Sequence, residues 1–483
     1  METNRPTTLK SGERARLIPT VADTSKEQRA LSVLEAGLVG VRNLAQSLFA
    51  DLGQRVGTRT RIRAYTEVTL ASTPAGLRNR PDGFIELNTG KRTWCALVEA
   101  KVGKTVLDTQ QVEDYVRLAR ENGVDAVITI SNQFVALPTH IPVPLPKNLS
   151  RSVAVYHWSW MYILTKATLV QSDDAMDSED QRYLLDEIVR FLQSDGSGIS
   201  SFDQMNAEWK DLVLKIQGGA QPGKASPEIQ NTVAAWHQEQ RDIALIMSRI
   251  LGRHVRLHLK RAHRDDAAAR LKDDSEFLAS ESKLSCTLDV PDAASPIEIT
   301  VDLRTRHVTC RMSLDTPEEK KRTAARVNWL LRQLKPTDGK DVMIRAGWPS
   351  KARDTVARLA EVREDPACLQ TENQRLAPNR LDVMMVRDLA GKFSGRRTFI
   401  DHIETVVPEF YERVGQHLRA WVPPPPKPRT ITESDGGQSV EQDEGLRRSD
   451  EASSVLRAPA GQSPDGDGLP HASGAQGTGM DDR

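Results

Sequence analysis

Three segments in the first quarter of the chain decide how it folds. They are Arg61-Ile62-Arg63-Ala64-Tyr65-Thr66-Glu67-Val68-Thr69-Leu70, then Pro81-Asp82-Gly83-Phe84-Ile85-Glu86-Leu87, then Thr93-Trp94-Cys95-Ala96-Leu97-Val98-Glu99-Ala100-Lys101-Val102. Each carries the alternating or continuous apolar pattern of a β-strand. Asn88-Thr89-Gly90-Lys91 between the last two is hairpin-turn chemistry. In the first strand Ile62, Ala64, Thr66 and Val68 are expected on one face, with Tyr65 and Glu67 on the other.

Working outward, Leu31, Leu34, Leu38, Val41, Leu44, Leu48 and Leu52 recur at helical spacing and predict one amphipathic helix over residues 30–52. A second helix is expected from Thr109 to Asn122, stopped by Gly123. Strands follow at Asp125–Ser131 and Val153–Trp158. The resulting order, α-β-β-β-α-β-β, is a three-stranded meander whose next strand is reached through a crossover helix.

Further organisation follows composition. Residues 1–29 form an N-terminal arm and 30–165 the first α/β domain; residues 166–227 are a polar helical linker region with helices expected at 182–194 and 202–216. A second α/β (α+β) domain is expected over 228–421, opening on a long helix at Glu228–Leu251. Its strands are placed near 253–259, 283–290, 297–303, 307–313, Val342–Ala346 and Arg380–Val386. Thr316-Pro317-Glu318-Glu319 reads as a capped helix start, and Phe399–Trp421 as a terminal helix. From Val422 to Arg483 the chain carries 6 basic and 11 acidic residues and almost no branched or aromatic apolar ones, so a disordered tail is expected.

The whole sequence of 483 residues balances 66 Lys+Arg against 66 Asp+Glu, which excludes a globally basic nucleic-acid coat. Residues 1–165 hold 21 basic against 15 acidic residues, so the positive excess is local. The four cysteines, Cys95, Cys286, Cys310 and Cys368, never stand at Cys-x-x-Cys spacing and are expected as small core residues in a reducing cytosol. Met1 to Ile18 lacks the apolar stretch of a signal peptide, and no window is long enough to span a membrane, so a cytoplasmic protein is expected.

The chemistry concentrates on the second and third strands. Glu99 and Lys101, two residues apart on a strand, share a face, and the hairpin folds Asp82 back beside Glu99. Two carboxylates held together repel, and a hard divalent cation such as Mg²⁺ (or Mn²⁺) neutralises them through oxygen ligands. With Lys101 stabilising charge or orienting a nucleophile, this set suits phosphodiester hydrolysis. The acid-x-Lys spacing itself is common here, recurring at Glu208/Lys210, Glu281/Lys283, Glu318/Lys320, Glu319/Lys321 and Asp338/Lys340. None of those follows a Pro-Asp strand across a turn. The residues alone also allow a plainer reading, in which Asp82 is a turn residue and Glu99 and Lys101 form a strand-face ion pair worth at most about 1 kcal/mol.

As an ordered set, Pro81-Asp82 followed by Glu99-x-Lys101 within α-β-β-β-α-β resembles the PD-(D/E)XK nuclease superfamily, the restriction-endonuclease-like fold, over residues 30–165. Gln111-x-x-x-Tyr115 on the next helix is similar to the Gln-x-x-x-Tyr element of RecB-like members, where these side chains support the active site or the DNA. The resemblance implies catalytic roles for Asp82, Glu99, Lys101, Gln111 and Tyr115. It implies metal ligation by Asp82 and Glu99, with Glu35 on the first helix as a further acidic ligand. What it implies in function is a Mg²⁺-dependent DNA nuclease serving defence, restriction or repair, with a homodimer where both strands are cut. The second domain or the tail would bind a protein partner. The alternative is a catalytically inactive nuclease fold acting as a nucleic-acid-binding or stress-response module.

Other features are less specific. Glu67 is a candidate to line the same cleft, and Arg78-Asn79-Arg80, Lys91-Arg92 and Lys104 are candidates for phosphate contacts or solvated loops. Trp158 and Trp160 are expected to pack a strand-to-helix junction. In Arg253–Arg261 the alternation sets Arg256, His258 and Lys260 in an outward row, a nucleic-acid-facing strand or a solvated sheet face.

Overall fold

A six-stranded sheet with strand order β1-β2-β3-β4-β5-β6 carries the first half of the fold. The computed structural model describes residues 5–72, 80–146, 149, 152–173, 176, 178–349 and 352–423. Along the chain come β1 (Leu9–Arg14), α1 (Lys26–Gly40), α2 (Arg42–Ala50), β2 (Arg61–Leu70), β3 (Gly83–Asn88), β4 (Thr93–Ala100), α3 (Thr109–Glu121), β5 (Ala126–Ser131), β6 (Ala154–Ser159), α4 (Trp160–Gln171) and α5 (Glu179–Gln193). Strands β1 to β4 pair antiparallel, while β4–β5 and β5–β6 are parallel, with α3 as the crossover between β4 and β5.

The local chemistry explains these boundaries. The Asp108 side chain caps α3 by accepting from Gln111 N–H, and Gly123 follows it at φ 65°. The Ser159 side chain caps α4 in the same way, accepting from Tyr162 N–H. The single helix expected over 30–52 is two helices, because Val41 after Gly40 takes extended backbone at φ −115°. β1 was not expected from the sequence: its six residues, Leu-Lys-Ser-Gly-Glu-Arg, bury only Leu9.

The face assignment of β2 is also corrected. Ile62 and Ala64 pack with the core under α1, α2, α4 and α5, whereas Tyr65, Val68 and Leu70 pack with the core under α3. Glu67 stands at φ +51°, beside a register shift in the β1–β2 pairing, so the two-residue period slips there and Val68 crosses to Tyr65's face.

The second half comprises α6 (Trp209–Gln217), α7 (Pro227–Leu251), β7 (Arg256–Leu257), α8 (Arg261–Asp265), α9 (Ala267–Glu281), β8 (Lys283–Asp289), β9 (Ile297–Asp302), β10 (His307–Asp315), α10 (Thr323–Gln333), β11 (Val342–Gly347), β12 (Thr355–Arg358), α11 (Leu359–Glu364), β13 (Arg380–Asp388) and α12 (Arg396–Arg413). Its seven strands run β12-β11-β13-β10-β9-β8-β7, every neighbouring pair antiparallel. The chain is therefore mixed α/β, with two sheets among the described residues. Helix α7 belongs to both halves: Ile229, Val233, Trp236 and Met247 enter the core of the second sheet, and Leu245 enters that of the first.

Several sequence expectations for this half are corrected. The strand near 253–259 is only two residues long, and the polar stretch after it holds α8 and α9. Thr316 opens no helix, because its hydroxyl donates to the Pro378 carbonyl at 2.6 Å and α10 starts at Thr323. The terminal helix stops at Arg413, where Val414 leaves helical backbone. Cys95, Cys286 and Cys310 are buried, but Cys368 is exposed. Among the described residues no helix is long and apolar enough to cross a membrane. Of the tail only Val422 and Pro423 are described, so the expected disorder lies outside the described residues.

Candidate active site

The acids expected from the sequence meet at one end of the first sheet. Strand β3 begins where β4 ends, with Gly83 paired to Val98, so Asp82 arrives beside the last residues of β4. The Ala100 N–H donates to Asp82 Oδ2 at 2.9 Å and fixes that carboxylate in place. Glu99 is fully buried on the α3 side of β4, and Lys101 Nζ stands 2.5 Å from its Oε1. The shared strand face of Glu99 and Lys101 is thus observed. Lys101 also faces Glu27 Oε2 at 3.6 Å, from the first turn of α1.

Glu35 reaches the same place from the opposite side of the sheet. It lies on α1, fully buried, directly under Gly83. A Cβ at position 83 would overlap Glu35 Oε1 and crowd Leu31 Cδ2 at 3.1 Å. Glycine at the start of β3 is therefore what lets this carboxylate approach Asp82. The sequence signal for it was the Gly directly after Pro81-Asp82, which pattern reading passed over.

Gln111 and Tyr115 act one step back. Gln111 Nε2 donates to the Tyr115 hydroxyl at 3.0 Å, and that hydroxyl donates to the Arg80 carbonyl at 3.0 Å. The pair ties α3 to the backbone two residues before Asp82. Tyr115 is buried, and burial followed by the Glu99 charge pushes its phenol above the ordinary range. It stays a hydroxyl donor near neutral pH.

The electrostatics of this cluster are unfavourable as it stands. Burial, then the Asp82 charge, pushes Glu35 well above the carboxylate range. The same two causes in the same order push Glu99 up to about 8. Asp82 is raised by burial, against the Ala100 N–H and the Lys101 charge. Burial opposes the charge on Lys101, but its contact with Glu99 and the surrounding acids hold its pKa above the usual lysine value. Glu99, Asp82 and Glu27 thus share the one ammonium of Lys101 while Glu35 has, among the described residues, only Asp82 for a charged neighbour, and the excess must be met by protons or by a cation.

The donor chemistry fits a hard divalent ion. Both oxygens of Glu35 are buried without a hydrogen-bond partner, those of Glu99 are buried with the Lys101 ammonium beside Oε1, and every candidate ligand is a carboxylate. Among the described residues no three His, Cys, Asp or Glu side chains already surround a common point in ligand geometry. The fit rests on the orphaned oxygens and on the cradle that Gly83 leaves.

Neighbouring candidates separate clearly. Glu67 accepts from Gln28 Nε2 at 2.6 Å and faces Arg80 at 3.7 Å, and the Arg80 guanidinium folds back onto the Glu67 and Val68 carbonyls. Arg78 and Asn79 lie outside the described residues. Lys91 and Arg92 sit at the hairpin tip, the opposite end of β4 from Glu99, roughly 25 Å away at strand rise. That distance removes them from the cleft mouth, and Arg92 instead approaches Asp125 at 3.8 Å. Trp158 and Trp160 are fully buried as junction packing, and Trp160 Nε1 donates to the Lys101 carbonyl at 2.8 Å. His157, which the sequence reading assigned no role, continues the row Glu99, Thr129, His157 across three strands. Its Nδ1 meets Thr129 Oγ1 at 2.9 Å, and burial lowers its pKa to about 4, so it is neutral packing there.

A scan against protein-family models found no family that matches this chain, and a search of curated proteins found no matching relative.

Proposed function

We propose that this chain is a Mg²⁺- or Mn²⁺-dependent nuclease that hydrolyses phosphodiester bonds of DNA, with its active site at the β3–β4 end of the first sheet. The observation that carries the reading is the placing of Asp82 between two buried acids, Glu99 beside the Lys101 ammonium and Glu35 under Gly83 with both its oxygens unbonded. In this reading α1 to β6 form a restriction-endonuclease-like αβββαβ core of the PD-(D/E)XK kind. The second half serves targeting or assembly, and a homodimer would bring two sites to the two strands of a duplex.

Asp82 and Glu99 would hold the metal, with Glu35 as a further ligand. When bound, such an ion neutralises the carboxylates, polarises a phosphate oxygen and acidifies water. The chain's own contribution is positional. The Ala100 N–H and the Gln111–Tyr115–Arg80 tie hold Asp82. Lys101, beside Glu99, supplies cationic N–H donors for the attacking water or for charge developing on the phosphate.

The test is incubation of the purified chain with supercoiled plasmid, linear duplex and single-stranded DNA, with and without Mg²⁺ or Mn²⁺. Metal-dependent cutting that disappears in Asp82→Ala is expected. Cutting by folded Asp82→Ala at the wild-type rate sinks the assignment. Salt-dependent DNA binding by the wild type with no cutting would replace it with the binding-module reading.

A further inference from the structure

Away from the carboxylate cluster, a cleft of about 930 Å³ opens between the two halves of the fold. One side is formed by Asp51, Tyr162 and the Ala136–Thr139 turn, the other by the His254–Leu259 segment, Arg264 and Val290-Pro291. Arg241 of α7 also lines it, with only 6% of the residue exposed. Among the described residues the Arg241 guanidinium makes no hydrogen bond and no ion pair; its one close partner is the face of the Tyr162 ring, 5.1 Å to the centroid.

The acids nearby are already engaged. Asp51 pairs with Lys166 at 2.7 Å and accepts from the Tyr162 hydroxyl. Asp289 faces His258 at 3.1 Å, and Asp242 accepts from Phe202 N–H at 2.8 Å. Arg256 and Arg264, exposed at the cleft mouth, also form no ion pair among the described residues. Three arginines thus line one cavity with two carboxylates, Asp51 and Asp289, and Asp51 is already held by Lys166, so the lining keeps a cationic excess. Arg241 feels the charges of Asp51 and Asp242 but bonds to neither, and a nearly buried guanidinium whose donors are unfilled is costly unless an anionic ligand completes it.

The occupant can be specified further. A monocarboxylate would leave two of the three arginines unmatched, whereas a polyphosphate offers the charge and the forked oxygen geometry guanidinium groups take. The volume lies within the range of small-molecule sites. Leu137, Pro138, Val290 and Pro291 add an apolar wall for a ring. Arg241 is only 6% exposed, which favours a small ligand that enters the cleft over a backbone lying across its mouth.

We propose that this cleft binds a phosphorylated small molecule of nucleotide size, its phosphates on Arg241, Arg256 and Arg264 and its ring against the Leu137–Pro138 and Val290–Pro291 walls. The site shares no residue with the carboxylate cluster and does not depend on the nuclease reading.

Isothermal titration of the full chain, in buffer with a chelator to silence any metal site, tests this. The probes are the four ribonucleoside triphosphates, adenosine, inorganic phosphate and a single-stranded oligonucleotide. At least one triphosphate should bind more tightly than adenosine or phosphate. Arg256→Ala/Arg264→Ala should weaken that binding by about tenfold or more, as expected for lost charge-assisted bonds. Because Arg241→Met also alters packing on Tyr162, the exposed pair carries the decision. Absence of binding by every probe would overturn the proposal. So would equal binding of phosphate and triphosphate, binding of the oligonucleotide alone, or unchanged affinity in the double variant.

Discussion

Glu35 occupies the space that a side chain on residue 83 would need. Its carboxylate lies under the β3 backbone at Gly83, on the opposite side of the sheet from Glu99, and this is how an acid on α1 comes within reach of Asp82. Gly83→Ala should therefore cost stability, by about 1–3 kcal/mol as an overpacked core site does, and abolish activity by displacing Glu35. Urea denaturation together with a cleavage assay checks both; unchanged stability would mean that Glu35 is free to move aside.

Tyr115 is predicted to matter through Arg80 rather than through substrate. Tyr115→Phe removes the donor to the Arg80 carbonyl and should cost about 1 kcal/mol of stability. Cleavage should slow while metal affinity changes little, because no ligand is removed. A variant with wild-type turnover would show that the tie does not hold Asp82.

An acidic pair elsewhere, Asp242 buried and Glu404 half-buried, sets a pH dependence. Burial pushes Asp242 on α7 up to about 6, and burial followed by the Asp242 charge pushes Glu404 on α12 up to about 7. Both exceed the unfolded carboxyl value of about 4, so between those limits the folded chain binds more protons than the unfolded one. Their contribution to stability is then present at low pH and falls as pH rises from about 4 through 7. Tm should decline from pH 5 to pH 8, and Glu404→Gln should flatten part of that decline. An equal decline in the variant would contradict it.

Much of this arrangement was legible in the sequence. The strands carrying Asp82 and Glu99 announce themselves by their apolar runs and turn, and the i, i+2 spacing alone put Lys101 on Glu99's face. Local pattern could not show the bulge at Glu67, because positive φ at a glutamate has no compositional signal. Nor could it separate α1 from α2, since Val41 keeps the helical spacing of apolar residues while its backbone leaves the helix. Lys91 and Arg92 looked like cleft residues only because sequence proximity hides which end of a strand a turn occupies. The role of Gly83, and the way Arg241 meets Arg256 and Arg264 across a cleft, are tertiary facts that local pattern does not show.

Divalent metal should stabilise the protein through the same carboxylates. At pH 8, Mg²⁺ or Mn²⁺ at 100 times its Kd should raise folding stability by roughly 2.7 kcal/mol. Glu99→Gln, which removes a buried charge at nearly constant shape, should lose that gain while its metal-free Tm matches or exceeds that of the wild type. An equal metal-induced shift in both proteins would place the ion elsewhere.

The most direct test is a cleavage time course comparing wild type with Lys101→Ala, both shown folded by circular dichroism, in Mg²⁺ and in chelator. The account predicts cutting by the wild type only with metal, and none above background by Lys101→Ala. Equal cutting by the two proteins, or cutting that survives the chelator, would contradict it.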